Sequence, residues 1–236
     1  MIRSGIACVA ALLLGTAIYH QIHASRLEAR LVRALPGEIA TDVELMKFAQ
    51  SAAPAVYREH CAVCHGATLG GDRARGAPNL ADDAWLYGNG TIQDIEQTIL
   101  YGIRSGHPKA HNLTDMPALG RTGQLTQQDV SDVVEYILKI SKQPHDETAV
   151  ERGQAIFAGA GVCYDCHGGD ALGISDYGTP ALTGRGGTWM YGGDRDILYK
   201  TVWDGRHGLC PAWVGKLSFV QIRALAIWLY EKSHHE

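Results

Sequence analysis

The chain has 236 residues, 46% hydrophobic and 19% charged, with a formal net charge of −4 and both signs interspersed. That length suits two small domains better than one, and the absence of a basic cluster argues against a nucleic-acid-binding protein. The chain has only three Phe but 28 Gly, so loops outweigh aromatic core.

At the N-terminus, Arg3 precedes an apolar run from Ile6 to Tyr19 that is broken only by Gly15 and Thr16. The run is short for a membrane span, which needs about 20 residues. Extending it from Ile2 to Ile22 brings it close, at the cost of His20 and Gln21. The length also matches the apolar region of a signal peptide, but Ile22-His23-Ala24 is a poor cleavage context. The expectation is an uncleaved membrane anchor over residues 1–23. Residues 24–42 carry charges and Pro36-Gly37 and read as a tether with some helix. A first domain is expected over residues 43–141, a polar linker containing Pro144 over 142–147, and a second domain over 148–236 with a frayed end at His234-His235-Glu236.

The two domains read as an internal repeat. Each opens with a short helix that runs into a Cys-x-x-Cys-His pentapeptide: Cys61-Ala62-Val63-Cys64-His65 and Cys163-Tyr164-Asp165-Cys166-His167. Tyr57 and Phe157 stand just upstream. A Gly-rich loop follows, then Pro78-Asn79-Leu80 with Trp85-Leu86-Tyr87-Gly88, or Pro180-Ala181-Leu182 with Trp189-Met190-Tyr191-Gly192. The histidine precedes the Trp by 20 residues (65 to 85) in one repeat and by 22 (167 to 189) in the other. Helices are predicted over Ile92–Tyr101 and Asp194–Trp203. Each repeat closes on an amphipathic helix. In the first, Val130, Val133, Val134, Ile137 and Leu138 form the stripe, with Thr126 as N-cap. In the second, Ser218-x-x-Gln221 is a capping box ahead of Ile222, Leu225, Ala226 and Leu229. No run of alternating strands stands out, so the fold class is all-α.

The pentapeptide spacing is that of covalent c-type haem attachment. Two cysteines one helical turn apart can form thioethers to the two vinyl groups, and the adjacent histidine reaches the iron from the proximal side. The expected cofactors are two covalently bound haem c groups, held by Cys61, Cys64 and His65 and by Cys163, Cys166 and His167. An apolar macrocycle also supplies much of the core that a domain of this size lacks. The remaining cysteines are Cys8 and Cys210, and no disulfide is expected. Because c-type haem is attached outside the cytoplasmic membrane, the haem domains are expected in the periplasm whether the N-terminal segment is kept or cleaved.

Each half resembles a class I cytochrome c. The phrases Asn79-Leu80-Ala81-Asp82-Asp83-Ala84-Trp85-Leu86-Tyr87-Gly88 and Gly205-Arg206-His207-Gly208 followed by Pro211-Ala212-Trp213 make the pair resemble the diheme membrane-anchored subunit of cbb3-type cytochrome c oxidases, over roughly residues 50–230. The resemblance implies two tandem cytochrome c domains behind a single N-terminal membrane helix. It also implies a role in respiratory electron transport, from a donor cytochrome or quinol-oxidising complex toward the haem–copper core of an oxidase. The chain itself would then be a non-catalytic electron-transfer subunit.

The resemblance also points to a distal iron ligand, a Met just before Pro-Ala. Asp115-Met116-Pro117-Ala118 supplies it in the first repeat, with His107 and His111 as rivals nearby. These two histidines lie in a nine-residue insertion, Ser105 to Leu113. In the second repeat the slot reads Leu209-Cys210-Pro211-Ala212. Cys210 is the leading candidate there, with His207, Met190 or an open iron as alternatives. The expected pairings are His65/Met116 and His167/Cys210. Thiolate stabilises ferric iron, so the second haem would have the lower potential. Trp85, Trp189, Tyr87 and Tyr191 are expected to pack around the haems, and Arg206 to lie near a propionate. Two other functions stay open: an enzyme of the thiosulfate-oxidising type using a His/Cys haem, and a haem-based redox or gas sensor in which Cys210 dissociates. Thiosulfate-dependent haem reduction, or ligand loss on reduction, would distinguish them from a carrier.

Overall fold

A computed structural model describes residues 2–183 and 188–234, with side chains from Leu12 onward. Cys8 and the first half of the expected anchor therefore lie outside the described side chains, as do the last two residues of the tail. Among the described residues the secondary structure is helical, with isolated bridge pairs in place of a sheet. The helices are α1 (Ile2–Arg33), α2 (Pro36–Ile39), α3 (Val43–His60), α4 (Ala62–His65), α5 (Ile92–Tyr101), α6 (Gln127–Ile140), α7 (Glu147–Ala158), α8 (Cys163–His167), α9 (Arg195–Asp204) and α10 (Phe219–His234).

Local signals account for most of these boundaries. Thr126 caps α6 in a reciprocal box with Asp129, and Thr91 does the same for α5 with Asp94. Ser218 and Gln221 exchange hydrogen bonds of 2.8 and 3.2 Å at the start of α10. Each such cap satisfies amides that a helix start leaves bare and stabilises it by about 1 kcal/mol. No described helix is both long and apolar enough to cross a membrane. α1 nevertheless leaves Leu12, Leu13, Leu14, Ile18, Tyr19 and Ile22 exposed.

The helices pack into two lobes that do not coincide with the sequence repeat. In the first lobe α3 and α5, from the first repeat, bury their apolar faces on α10, the closing helix of the second. In the second lobe α7 and α9, from the second repeat, pack on α6, the closing helix of the first. Aromatic pairs mark the exchange. Tyr57 of α3 meets Trp228 of α10 with ring centroids 5.2 Å apart, and Phe157 of α7 meets Tyr136 of α6 at 5.4 Å. Domains are expected from the sequence over 43–141 and 148–236; the helices pack instead as 43–113 with 207–234, and 114–206. The expected tether is also packed. Leu31 and Ile39 are fully buried in the first lobe's core, and Arg30 pairs with Asp42 and Glu44.

Charge explains the choice of partner. Arg223 of α10 is buried against Glu96 of α5. It donates to Glu96 at 3.1 Å and to the carbonyls of Leu31 and Ala34 at 3.0 and 2.6 Å. In the second lobe Glu135 of α6 accepts from Arg195 of α9 at 2.6 and 2.9 Å, and Asp132 of α6 accepts from Arg152 of α7 at 2.7 and 2.9 Å. An unexchanged arrangement would bring Glu135 to the helix that carries Glu96, and Arg223 to the helix that carries Arg195. Burying a charge without its partner costs about 3–5 kcal/mol, so the exchanged pairing is the compatible one.

The lobes interlock through two tyrosines in near-symmetric positions. The ring of Tyr191, from the second lobe, fills the space over Gly76 of the first. The ring of Tyr87, from the first lobe, fills the space over Gly178 of the second. Both glycines have φ +66°, a conformation only glycine adopts without strain.

Two outcomes follow for denaturation of the holoprotein. A double-mutant cycle on Tyr57→Leu and Trp228→Leu should return a coupling of about 0.5–1.5 kcal/mol. The control pair Tyr57→Leu and Tyr136→Leu should be additive within about 0.5 kcal/mol; coupling in the control instead would contradict the exchange. Gly123, at φ +77°, has open space around it, so Gly123→Ala should lose only the backbone strain of about 1–2 kcal/mol. Gly76→Ala should lose clearly more, because its methyl group overlaps the Tyr191 ring.

Candidate haem sites

The two Cys-x-x-Cys-His segments fold into single helical turns, α4 and α8. Each is followed by a glycine of positive φ, Gly66 and Gly168, which turns the chain away. His65 donates from Nδ1 to the Pro78 carbonyl at 3.0 Å, and His167 donates from Nδ1 to the Pro180 carbonyl at 2.9 Å. This bond orients each ring and fixes its tautomer, leaving Nε2 with a free lone pair for a metal. Burial depresses both imidazole pKa values, partly offset by the carbonyl bond, so both rings are neutral, as a ligand must be.

The surroundings fit a flat, apolar, acid-bearing group. Burial pushes the Cys61 and Cys163 thiols up to about 11. Trp85 Nε1 and the Thr183 and Thr188 hydroxyls are buried without a hydrogen-bond partner, and such groups need an acceptor that the polypeptide does not supply. A propionate edge supplies one. Among the described residues no three His, Cys, Asp or Glu side chains converge as a metal-binding cluster.

The two distal candidates lie on the exchanged segments. The Met116 loop runs along the end of α9: Met116 pairs with Arg206 through hydrogen bonds of 3.2 and 2.9 Å, and the Leu119 amide donates to the Val202 carbonyl at 3.1 Å. Met116 packs on the second lobe's core, as does Cys163. The Cys210 loop runs along the end of α5: Cys210 pairs with Ile103 at 3.0 and 2.9 Å, and the Trp213 amide donates to the Leu100 carbonyl at 3.1 Å. Trp213 packs on the first lobe's core with Cys61, and its ring lies 5.1 Å from that of His60. The fold therefore does not bring Met116 to His65 or Cys210 to His167, as the repeat alone led one to expect. The ligand loops travel with the closing helices, and those are exchanged.

The rival ligands are otherwise engaged. His111 stacks on Tyr87 at 4.2 Å, and His107 on Tyr101 at 4.7 Å. His207 is paired with Asp115 at 2.7 Å. Met190 lines a cavity of ≈ 480 Å³ between the lobes, shared with Trp189, Ala77 and Pro78. Pro78, which accepts from His65, lines the same cavity. Arg206 is not at a free edge: it lies 4.1 Å over the Tyr191 ring and donates to Thr201 at 3.0 Å. Tyr87 and Tyr191, expected near the haems, form the interlobe contact. Arg104 is a residue that sequence reasoning passed over. Its guanidinium links the Gly208 and Thr114 carbonyls, so it clamps both crossing segments; no motif marks it.

Comparison with known proteins agrees with this architecture. The family model described as cytochrome c matches residues 51–141, and the one described as cytochrome c oxidase, cbb3-type, subunit III matches residues 148–229. The chain is 40% identical over 192 residues to the cbb3-type cytochrome c oxidase subunit CcoP of Cereibacter sphaeroides, covering 81% of this chain and 64% of that protein. It is 40% identical over 212 residues to CcoP of Rhodobacter capsulatus, covering 86% and 69%. With FixP of a Bradyrhizobium species the figures are 38% over 206 residues, 86% and 67%. The chain thus spans about two thirds of the length of these relatives. Two cytochrome c domains of this kind imply two covalently bound haem c groups. On the identity shared across most of its length, this chain belongs to the family of cbb3-type cytochrome c oxidase subunits that includes CcoP and FixP.

Proposed function

We propose that the chain is a diheme electron carrier serving a cbb3-like terminal oxidase or a related respiratory complex. The observation that carries the proposal is the duplicated proximal lock, His65 on Pro78 and His167 on Pro180, in two lobes joined by the Tyr87 and Tyr191 interlock. When bound, each haem supplies one-electron chemistry. The polypeptide orients the imidazoles, excludes water from the proximal faces and holds the two sites in one particle. Cys61, Cys64 and His65 attach and ligate one haem, and Cys163, Cys166 and His167 the other, with Met116 and Cys210 as distal ligands. The partner is the haem–copper core of the oxidase, with electrons arriving from a donor cytochrome or a quinol-oxidising complex.

Membrane attachment through α1 belongs to this reading. Its 32 residues make a rod about 48 Å long, longer than the roughly 30 Å of bilayer hydrocarbon. Exposed Leu12, Leu13, Leu14 and Ile18 form an apolar surface that needs a cover. The lobes then lie on the periplasmic side.

The test is oxygen uptake by membranes of a strain lacking this chain, driven by an external cytochrome donor. Uptake should fall to background and return with the wild-type gene. It should not return with a Cys61→Ser, Cys64→Ser, Cys163→Ser, Cys166→Ser form that binds no haem. With residues 1–24 replaced by a cleavable signal peptide, the chain should appear in the soluble periplasmic fraction instead of the membrane. Unchanged uptake in the deletion strain, or haem reduction by thiosulfate alone, would sink the carrier reading.

A further inference from the structure

The exchange of closing helices leaves each pentapeptide facing the ligand loop of the other repeat, and the two loops differ in chemistry. We propose that Cys210 is the distal ligand of the haem attached through Cys61 and Cys64, opposite His65, and that Met116 serves the haem attached through Cys163 and Cys166, opposite His167. This rests on the diheme reading above and adds the assignment of ligand to haem.

Three observations carry it. First, Cys210 is pinned to the first lobe by its two hydrogen bonds to Ile103, and the next residues, Pro211-Ala212-Trp213, lie on the end of α5. Second, Trp213, three residues beyond Cys210, packs on the same core as Cys61, its ring 5.1 Å from that of His60. Third, no thioether competes on that face. Met116 is in the other lobe, packed among the residues that surround Cys163. Met190 lines the cavity shared with Pro78, and Met46 sits about 22 Å along α3 from Cys61 at 1.5 Å per residue.

Chemistry follows from placement. The free Cys210 side chain carries its sulfur as a thiol. On binding ferric iron the sulfur gives its proton to solvent and ligates as thiolate, since a metal-bound thiol is deprotonated. Thiolate favours the ferric state, whereas the thioether of Met116 favours the ferrous state. The low-potential haem is therefore the first in the sequence, in the lobe into which α1 is built through Leu31 and the Arg223 contacts to the Leu31 and Ala34 carbonyls. Electrons reside on the other haem, in the lobe farther along the chain from α1.

EPR of the oxidised holoprotein, together with a redox titration, tests this. Wild type should show a low-spin thiolate signal beside a His/Met centre. The double variant Cys61→Ser, Cys64→Ser should lose the thiolate signal and keep the methionine-to-iron charge-transfer band. The double variant Cys163→Ser, Cys166→Ser should do the reverse. Cys210→Met should raise only the lower potential. A thiolate signal that survives removal of the first haem, or that is absent from wild type, would overturn the assignment while leaving the diheme reading intact. A wild-type protein with fewer than two covalent haems would sink the diheme reading itself. Should a single-haem variant fail to accumulate, a crystal structure of the oxidised holoprotein decides the matter. Cys210 sulfur on the iron of the haem linked to Cys61 and Cys64 supports the proposal. That sulfur on the other iron, or on neither, rejects it.

Discussion

The organisation of this protein depends on which closing helix each opening helix buries. α3 and α7 end at the Cys-x-x-Cys-His turns, so whatever packs against them sets the shape of the space next to the cysteines. Each has an aromatic residue, Tyr57 or Phe157, that needs a large partner. Trp228 and Tyr136 are both adequate, so apolar complementarity alone permits either pairing. The charges do not. Arg223 finds Glu96 only when α10 lies on α5, and Glu135 finds Arg195 only when α6 lies on α9. In a buried setting an unmatched charge outweighs small differences in apolar fit, and the result is an intramolecular exchange.

That exchange governs what the ligand loops can reach. Each loop lies immediately before its closing helix and is carried with it into the other lobe. The proximal histidines are untouched by this, because their hydrogen bonds run to prolines only 13 residues further along the same repeat. The site is thus built from a local half and an exchanged half. Under the proposed assignment, Cys210 in the slot of one methionine would change the distal chemistry of a haem whose proximal side comes from the other end of the chain. The nine-residue insertion fits the same scheme. His111 returns hydrogen bonds to Gly102 and Arg104 and stacks on Tyr87, so one end of the insertion is tied to the crossing segment while Leu113 stays exposed.

The exchange also ties the N-terminal helix to the folded body. Leu31 and Ile39 are buried among α3, α5 and α10, and Arg223 spans from α10 to the end of α1. Whatever holds α1 therefore orients the first lobe directly, and the second lobe through Tyr87, Tyr191 and Arg104. A reading of residues 24–42 as a tether misses this. Its signal is only two apolar residues, Leu31 and Ile39, in a charged stretch, and their burial is shared among α3, α5 and α10, the last more than 180 positions away.

Periodicity, capping residues and the pentapeptides are local features, and from them the sequence alone determined the helices, the haem-attachment turns, the proximal histidines and the two candidate distal ligands. Thr126, Ser218 and the apolar stripes of α6 and α10 stand where their spacing places them. Only the tertiary structure decided in which lobe the Met116 and Cys210 loops lie, how Arg206, His107, His111 and His207 are engaged, and which surfaces join the lobes. The physical reason is that a repeated sequence presents two equivalent sets of helix faces. Intrinsic propensity is the same for either partner, and the choice rests on charge pairs such as Glu96 with Arg223, 127 residues apart, which no local pattern records.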